Sequence, residues 1–496
     1  MSASPTHTAQ ASVSYALARN RLGPFAIGSA IASSVAPLTV ITLVVPLALA
    51  ATGLLGFPIA IIAVAAILMI YAVGYLAMAR HIPNAGAFYA YVAHGIGRPF
   101  GVGTSWFALA TYTSFQLCCY GAFGAAIGAP LLSDWLGFDV HWFIPAVLAW
   151  ALVALLGANE VKLSGYVLVF LVVAETVLVV LYSLAIMLTS GFTFSGAAMS
   201  VGDLSGPSLG VLIVLGATSF AGVEQAVVYI EESKDPKRTI PVATYVTVAV
   251  IGAAYALASW VQISAAGPKP IDRATAEGAD LFFNEAAVML GHGAVTVGKV
   301  LLGTGLVAAL LAFHNAITRY TFALGREGVL PRVFGRCTIK GAPRNASLAQ
   351  TALALAVLIV YAIAGWDPLV QLFYWGSTTG GLGILLLYAL TSIAVIGFFA
   401  RRSYGENLWR RRFAPLLATA VLLVVAYLAV DNLAALYGVT PGTGPARIVP
   451  IALLAIFAAG TTWGLILRRT RPEIYEGIGR GARSATASAS GLSAIL

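Results

Sequence analysis

The sequence predicts an all-α membrane protein of twelve transmembrane helices. Three observations carry that prediction. Of 496 residues, 59% are hydrophobic and only 9% are charged, whereas a soluble domain carries about 25% charged residues. Apolar runs of the ~20 residues that a helix needs to cross a bilayer recur along the whole chain. The basic residues, finally, gather in alternate connections rather than being scattered.

Taken in order, the spans are expected at 22–51, 57–79, 99–132, 141–158, 163–189, 208–232, 240–266, 296–325, 346–365, 369–400, 413–431 and 447–467. Gly365-Trp366-Asp367-Pro368 separates the ninth from the tenth, because the residue before a proline is pushed out of the helical region. With a cytoplasmic N-terminus, 24 of the 28 Lys and Arg residues fall on inner loops and flanks. Only Lys269, Arg273, Lys299 and Arg447 remain outside. A missing span would invert every later loop and destroy that asymmetry, so both termini are expected in the cytoplasm. The net charge of +9 then reflects topology and the lipid bilayer rather than nucleic acid. Cys118 and Cys119 are adjacent and apolar-flanked, which suits buried thiols and not a disulfide. Residues 1–21 hold no short apolar core with a cleavage site, so the first apolar segment stays as a span. Ala274–Leu290 is expected to form a short helix over an outer vestibule, and the tail of 468–496 to be disordered.

Two spans are interrupted. The first breaks at Ser33-Ser34-Val35-Ala36-Pro37, where proline removes a helical N–H and the serines offer competing hydrogen bonds. The sixth carries Gly216 and Gly222 around Thr218-Ser219-Phe220, followed by Glu224. In lipid, broken backbone is tolerated only where protein buries it or it lines a water-filled cavity. The breaks lie five spans apart, and an odd offset gives the second unit opposite topology, as in transporters built from inverted repeats.

Ala26-Ile-Gly-Ser-Ala-Ile-Ala-Ser-Ser34, Ile82-Pro-Asn-Ala-Gly-Ala-Phe-Tyr-Ala-Tyr-Val92, Phe220-Ala-Gly-Val-Glu224 with Glu231-Glu-Ser-Lys-Asp-Pro-Lys-Arg-Thr-Ile-Pro241, and Ala323-Leu-Gly-Arg-Glu-Gly-Val-Leu-Pro331 keep their order over residues 20–345. In these motifs the chain resembles the amino acid–polyamine–organocation (APC) superfamily. The resemblance implies a LeuT-like fold. Residues 22–189 (spans 1–5) and 208–402 (spans 6–10) would be inverted repeats, with spans 11 and 12 (413–467) peripheral. Family members usually place a Gly-Ser/Thr-Gly type sequence at the first break, where this chain has Ala32-Ser33-Ser34-Val35-Ala36.

The expected substrate site joins both breaks. Ser33, Ser34 and the amides of Val35 and Ala36 would take a carboxylate at a half-helix N-terminus. Ser219, Phe220, Ala221 and Gly222 would offer carbonyls to an ammonium group, with Phe220 as a wall. Tyr112 and Gln116, one turn apart, share a face of span three, and the resemblance points that face at the pocket. Glu224 and Glu175 are the carboxylates placed deep in the bilayer, where charge costs ~2.5–3.5 kcal/mol and marks a transport pathway. Both are candidates to carry a proton. Glu224 also matches the glutamate of the superfamily's arginine/agmatine and putrescine/ornithine exchangers. Trp375, Ser377 and Thr378 are candidates for an outer gate, and His314 and Asn315 for the cytoplasmic exit. Neither metal-ligand spacing nor a nucleophile–base arrangement is apparent, so no cofactor and no enzyme activity are expected. The expectation is an amino acid permease of the plasma membrane working by alternating access, as a symporter or exchanger. A polyamine or organic cation carrier of the same fold is the alternative. Oligomeric state is left open.

Overall fold

The computed structural model describes residues 22–158, 163–189, 191–202, 208–338 and 341–481. The segments 1–21 and 482–496, on which part of the tail expectations fall, lie outside the described residues. All regular structure among the described residues is helical; the only strand-like pairing is an isolated bridge between Leu22 and Ser233. Among the described residues, eleven helices are long and apolar enough to cross a membrane. These are α1 (Pro24–Thr52), α2 (Phe57–Ala79), α3 (Arg98–Leu136), α5 (Phe170–Met187), α6 (Ser208–Tyr229), α7 (Pro236–Ala265), α8 (His292–Arg326), α9 (Arg344–Ala364), α10 (Pro368–Arg401), α11 (Trp409–Asp431) and α12 (Gly444–Thr470). The expected fourth span is the shorter apolar helix α4, Phe143–Gly157.

Burial ranks these helices. The apolar windows of α1 and α6 are 83% and 89% buried, against 17% for α12. A helix surrounded by protein on nearly every side sits at the centre of a bundle, and one that leaves most of its apolar surface exposed faces lipid. Packing agrees: α1 contacts α5, α7 and α8, whereas α12 leans mainly on α3. Small residues permit the close approaches. A Cβ at Gly103 would stand 2.7 Å from the carbonyl oxygen of Phe457 in α12. The helix expected near 274–290 is a pair, Pro270–Glu277 and Asp280–Leu290. Both pack against the second half of α1.

The start of the tail is ordered, contrary to its composition. Helix α12 is followed by a turn of helix at Pro472–Gly477. Beyond it, the Gly479 and Gly481 amides donate to the Glu327 carboxylate at 2.6 and 2.7 Å. Tyr89 and Asn84 complete that carboxylate's shell at 2.6 and 3.0 Å. Burial pushes the Glu327 carboxyl above the usual range, while Tyr89, Arg326 and the two amides pull it back. Gly479 and Gly481 both have positive φ (81° and 61°), a conformation glycine reaches without steric cost and which turns their amides to one side. Removing residues 478–496 should therefore lower stability by about 3 kcal/mol, since hydrogen bonds to a buried charge are worth ~1.5–3 kcal/mol each. A thermal melt of the truncated chain checks this. Adding Glu327→Gln to the truncation should recover part of the loss.

Candidate functional site

Both expected breaks are present. The first half of α1 ends at Val35, and Ala36 takes a left-handed conformation (φ 46°, ψ 77°). For a residue with a Cβ this costs about 1–2 kcal/mol. Pro37 then opens the second half, at a position where its missing N–H is no loss. A wider π-helical turn follows over Val40–Val44. In α6 the helix stops at Thr218, Gly222 sits at φ 111°, and a tighter 3₁₀ segment runs from Val223 to Tyr229.

The two breaks touch. A Cβ on Gly222 would lie 2.4 Å from Ser34 Cβ. Ser34 Oγ donates to Gln225 Oε1 at 3.1 Å, while Gln225 Nε2 is buried with no partner among the described residues. Ser33, Ser219, Phe220 and Ala221 are all buried within this contact region or its flanks. Ser33 and Ser219 back-bond to Ser29 O and Leu215 O. Phe220 packs on Tyr255 of α7, with ring centroids 6.1 Å apart. The Tyr255 hydroxyl in turn donates to Val35 O at 3.1 Å.

The free backbone donor lies slightly further along than expected. The Ala36 amide still donates to Ala32 O, closing the first half-helix. The donor at the start of the second half is Leu38 N, and it points at Glu175 Oε2, 3.3 Å away. A carboxylate at a half-helix N-terminus is what the macrodipole favours. Here α5 supplies it. Glu175 Oε1 is buried with no partner among the described residues, and a Cβ on Gly305 of α8 would fall 2.0 Å from it. Glycine at 305 is thus what makes room for this side chain.

Glu224 is held differently. Its Oε1 accepts from Tyr112 at 2.9 Å. Its Oε2 accepts from Tyr388 at 2.6 Å and from the Gly222 amide at 3.1 Å. Tyr75 donates to its backbone carbonyl at 3.3 Å. Tyr71 lies against Tyr388 (centroids 4.7 Å), its hydroxyl buried and without a partner among the described residues. A carboxylate satisfies three donors at once; a protonated acid has to turn one away. The two buried carboxylates therefore contrast: Glu224 is fully paired, Glu175 is half paired.

Gln116 does not join Tyr112 at Glu224. It accepts from Gln350 of α9 at 2.6 Å and stands 3.5 Å from His314 Nδ1. His314 Nε2 is 2.8 Å from Ser347 Oγ, which makes a buried polar network linking α3, α8 and α9. Trp375 donates to Tyr437 O at 3.1 Å, and Thr378 Oγ1 is buried without a partner among the described residues. Reasoning from sequence missed Tyr388, Ser347 and Gln350. Their signal was polarity inside otherwise apolar spans. At the tail-bearing end of the bundle, Arg326 grips Glu231 with two bonds of 2.9 and 2.8 Å. Arg319 similarly holds Glu232 at 2.6 and 3.2 Å. Both ion pairs tie α8 to the segment after α6. No group of three His, Cys, Asp or Glu residues placed to hold a metal occurs among the described residues.

A bundle of membrane helices with two broken, mutually touching central helices and buried carboxylates beside each break defines a membrane transporter in class. Comparison with known families agrees. Residues 22–459 match the amino acid permease family model, and the chain belongs to that family, part of the APC superfamily. Over 415 residues it is 27% identical to the lysine-specific permease LysP of Lactococcus lactis subsp. cremoris, covering 77% of this chain and 78% of that protein. Over 282 residues it is 26% identical to the low-affinity putrescine importer PlaP of Escherichia coli K12, covering 53% and 58%. Over 371 residues it is 21% identical to the branched-chain amino acid permease BcaP of Lactococcus lactis subsp. cremoris, covering 70% and 75%. It is similar to a set of transporters, not to an enzyme family.

Proposed function

We propose that this permease carries an α-amino acid across the cell membrane by alternating access, coupled to a proton. The observation that carries the reading is the contact between the two breaks, Ser34 against Gly222, with Gln225 Nε2 beside it and without a partner among the described residues. Polar groups buried without partners cost about 1–3 kcal/mol each, and a substrate that satisfies them recovers that cost. A carboxylate would bind at the α1 break against the Ser33 and Ser34 hydroxyls, with Val35 and Ala36 lining the break and the Ala36 amide remaining on Ala32 O. An ammonium group would meet Ser219, Phe220, Ala221 and Gly222. Two inverted repeats, 22–189 and 208–402, rock against each other, with 413–467 at the periphery and both termini in the cytoplasm. Glu175 is the proton carrier: its Oε1 accepts no hydrogen bond among the described residues, so a proton there removes a buried charge without displacing a donor, whereas both Glu224 oxygens already accept. Glu224 with Tyr112 and Tyr388 is a gate element beside the substrate.

Relatives named for lysine, branched-chain amino acids and putrescine share an amine and differ in whether a carboxylate is present. Glu224 favours the second reading, a polyamine carrier, because it is a buried anion close to the break. Uptake into proteoliposomes separates the two. A radiolabelled α-amino acid should accumulate and be displaced by other α-amino acids. Displacement by putrescine alone, or no uptake across a full amino acid panel, contradicts the proposal.

A further inference from the structure

A cavity of about 250 Å³ opens between the end of α2, the first turns of α7 and the start of α11, and none of the residues of either break lines it. Its walls include Arg80, Pro241, Tyr245, Trp409 and Arg410. Those residues sit at helix ends, the level where a membrane changes from hydrocarbon to headgroup, and tryptophan and tyrosine are the aromatics that favour that level. Below the cavity both helices are smooth and apolar toward the outside. Val242 and Val246 on α7, and Phe413 and Leu417 on α11, are each more than 40% exposed.

The charges do not balance. Glu406 is the acid paired here, and it is shared: Arg80 Nη1 stands at 3.4 Å, Arg410 Nη1 at 3.1 Å and His81 Nε2 at 3.6 Å. Two guanidinium groups against one carboxylate leave one positive charge in excess. The hold on Arg80 is long for a hydrogen bond. Its Nε is buried with no partner among the described residues, as is Nε of the neighbouring Arg411. Guanidinium donors are arranged to grip a phosphate with two bonds at once. We propose that this cavity is a binding site for the headgroup of an anionic phospholipid. The phosphodiester sits between Arg80 and Arg410, the Tyr245 hydroxyl donates to it, and the acyl chains run along the exposed faces of α7 and α11. Charge complementarity selects the anionic headgroup, and the apolar faces select a lipid over a free anion.

Native mass spectrometry of the full chain in detergent tests the site, with phosphatidylglycerol and phosphatidylcholine offered at equal concentration. About fivefold more phosphatidylglycerol should be retained, the ratio expected for one uncompensated basic residue at ~1 kcal/mol. Arg80→Gln/Arg410→Gln leaves Glu406 uncompensated and should bring that ratio to one or below. Glu406→Gln removes the competing acid and should raise phosphatidylglycerol retention. That opposite sign cannot arise from a variant that merely fails to fold. Equal retention of both lipids by the parent chain, or weaker phosphatidylglycerol binding in Glu406→Gln, overturns the proposal. So does displacement of phosphatidylglycerol by the same concentration of inorganic phosphate, which would make the cavity a soluble-anion site.

Discussion

Gly222→Ala is expected to reduce uptake at least about tenfold, although it adds one methyl group. Two independent penalties meet at this residue. Its φ of 111° is a conformation that L side chains rarely adopt, and such backbone strain costs on the order of 1–3 kcal/mol. The new Cβ would also stand 2.4 Å from Ser34 Cβ and 3.1 Å from Ser34 Oγ. Ser34 Cβ is one bond from the backbone and cannot swing aside, so α1 and α6 have to separate; overpacking of this kind costs about 1–3 kcal/mol more. Transport and thermal stability should fall together. The double variant Ser34→Gly/Gly222→Ala removes the Cβ clash and leaves the strain, so it should recover part of both. Uptake that survives Gly222→Ala at the parent rate would mean that the contact between breaks is not part of the pathway.

The second large effect is a contrast between two conservative variants. Glu175→Gln keeps the side chain's size, and its amide oxygen can still accept from Leu38 N. It cannot exchange a proton, so uptake should lose its pH dependence while the protein melts close to normally. Glu224→Gln behaves in the opposite way. An amide presents one acceptor and one donor group where Tyr112, Tyr388 and the Gly222 amide all donate to the carboxylate. At least one of those donors is left facing an N–H, at a cost of about 1–3 kcal/mol. Uptake should fall, and the residual rate should keep the parent pH profile. Measuring pH profiles of uptake for both variants decides which carboxylate carries the proton. A flat profile in Glu224→Gln with a normal one in Glu175→Gln reverses the assignment.

Much of this was legible in the sequence, and the rest was hidden for physical reasons. Proline and glycine announce a broken helix because each has a local backbone consequence, so Pro37 and Gly222 marked the breaks without any partner being known. They do not say which amide is left free. That depends on Ala36 closing the first half-helix onto Ala32, which moves the open donor to Leu38. Glu175 and Glu224 stood out as charges in lipid, but their opposite hydrogen-bonding states are set by residues far away in the chain. Tyr388 reaches Glu224 across 164 positions, and Leu38 reaches Glu175 across 137. Gln116 and Tyr112 share a helix face, yet a turn of helix is enough to place them in separate networks. The glycine-rich tail shows the limit of composition: Gly479 and Gly481 read as disorder promoters, and they are instead the residues whose backbone can wrap a buried carboxylate.

Proton coupling through Glu175 is tested most directly by uptake into proteoliposomes across an imposed pH gradient, with sodium replaced by choline. For the parent chain, uptake should rise as the outside is acidified and should not change when sodium is removed. In Glu175→Gln, the same acidification should produce no increase. If parent uptake collapses without sodium, or if Glu175→Gln responds to acid as the parent does, Glu175 is not the proton carrier.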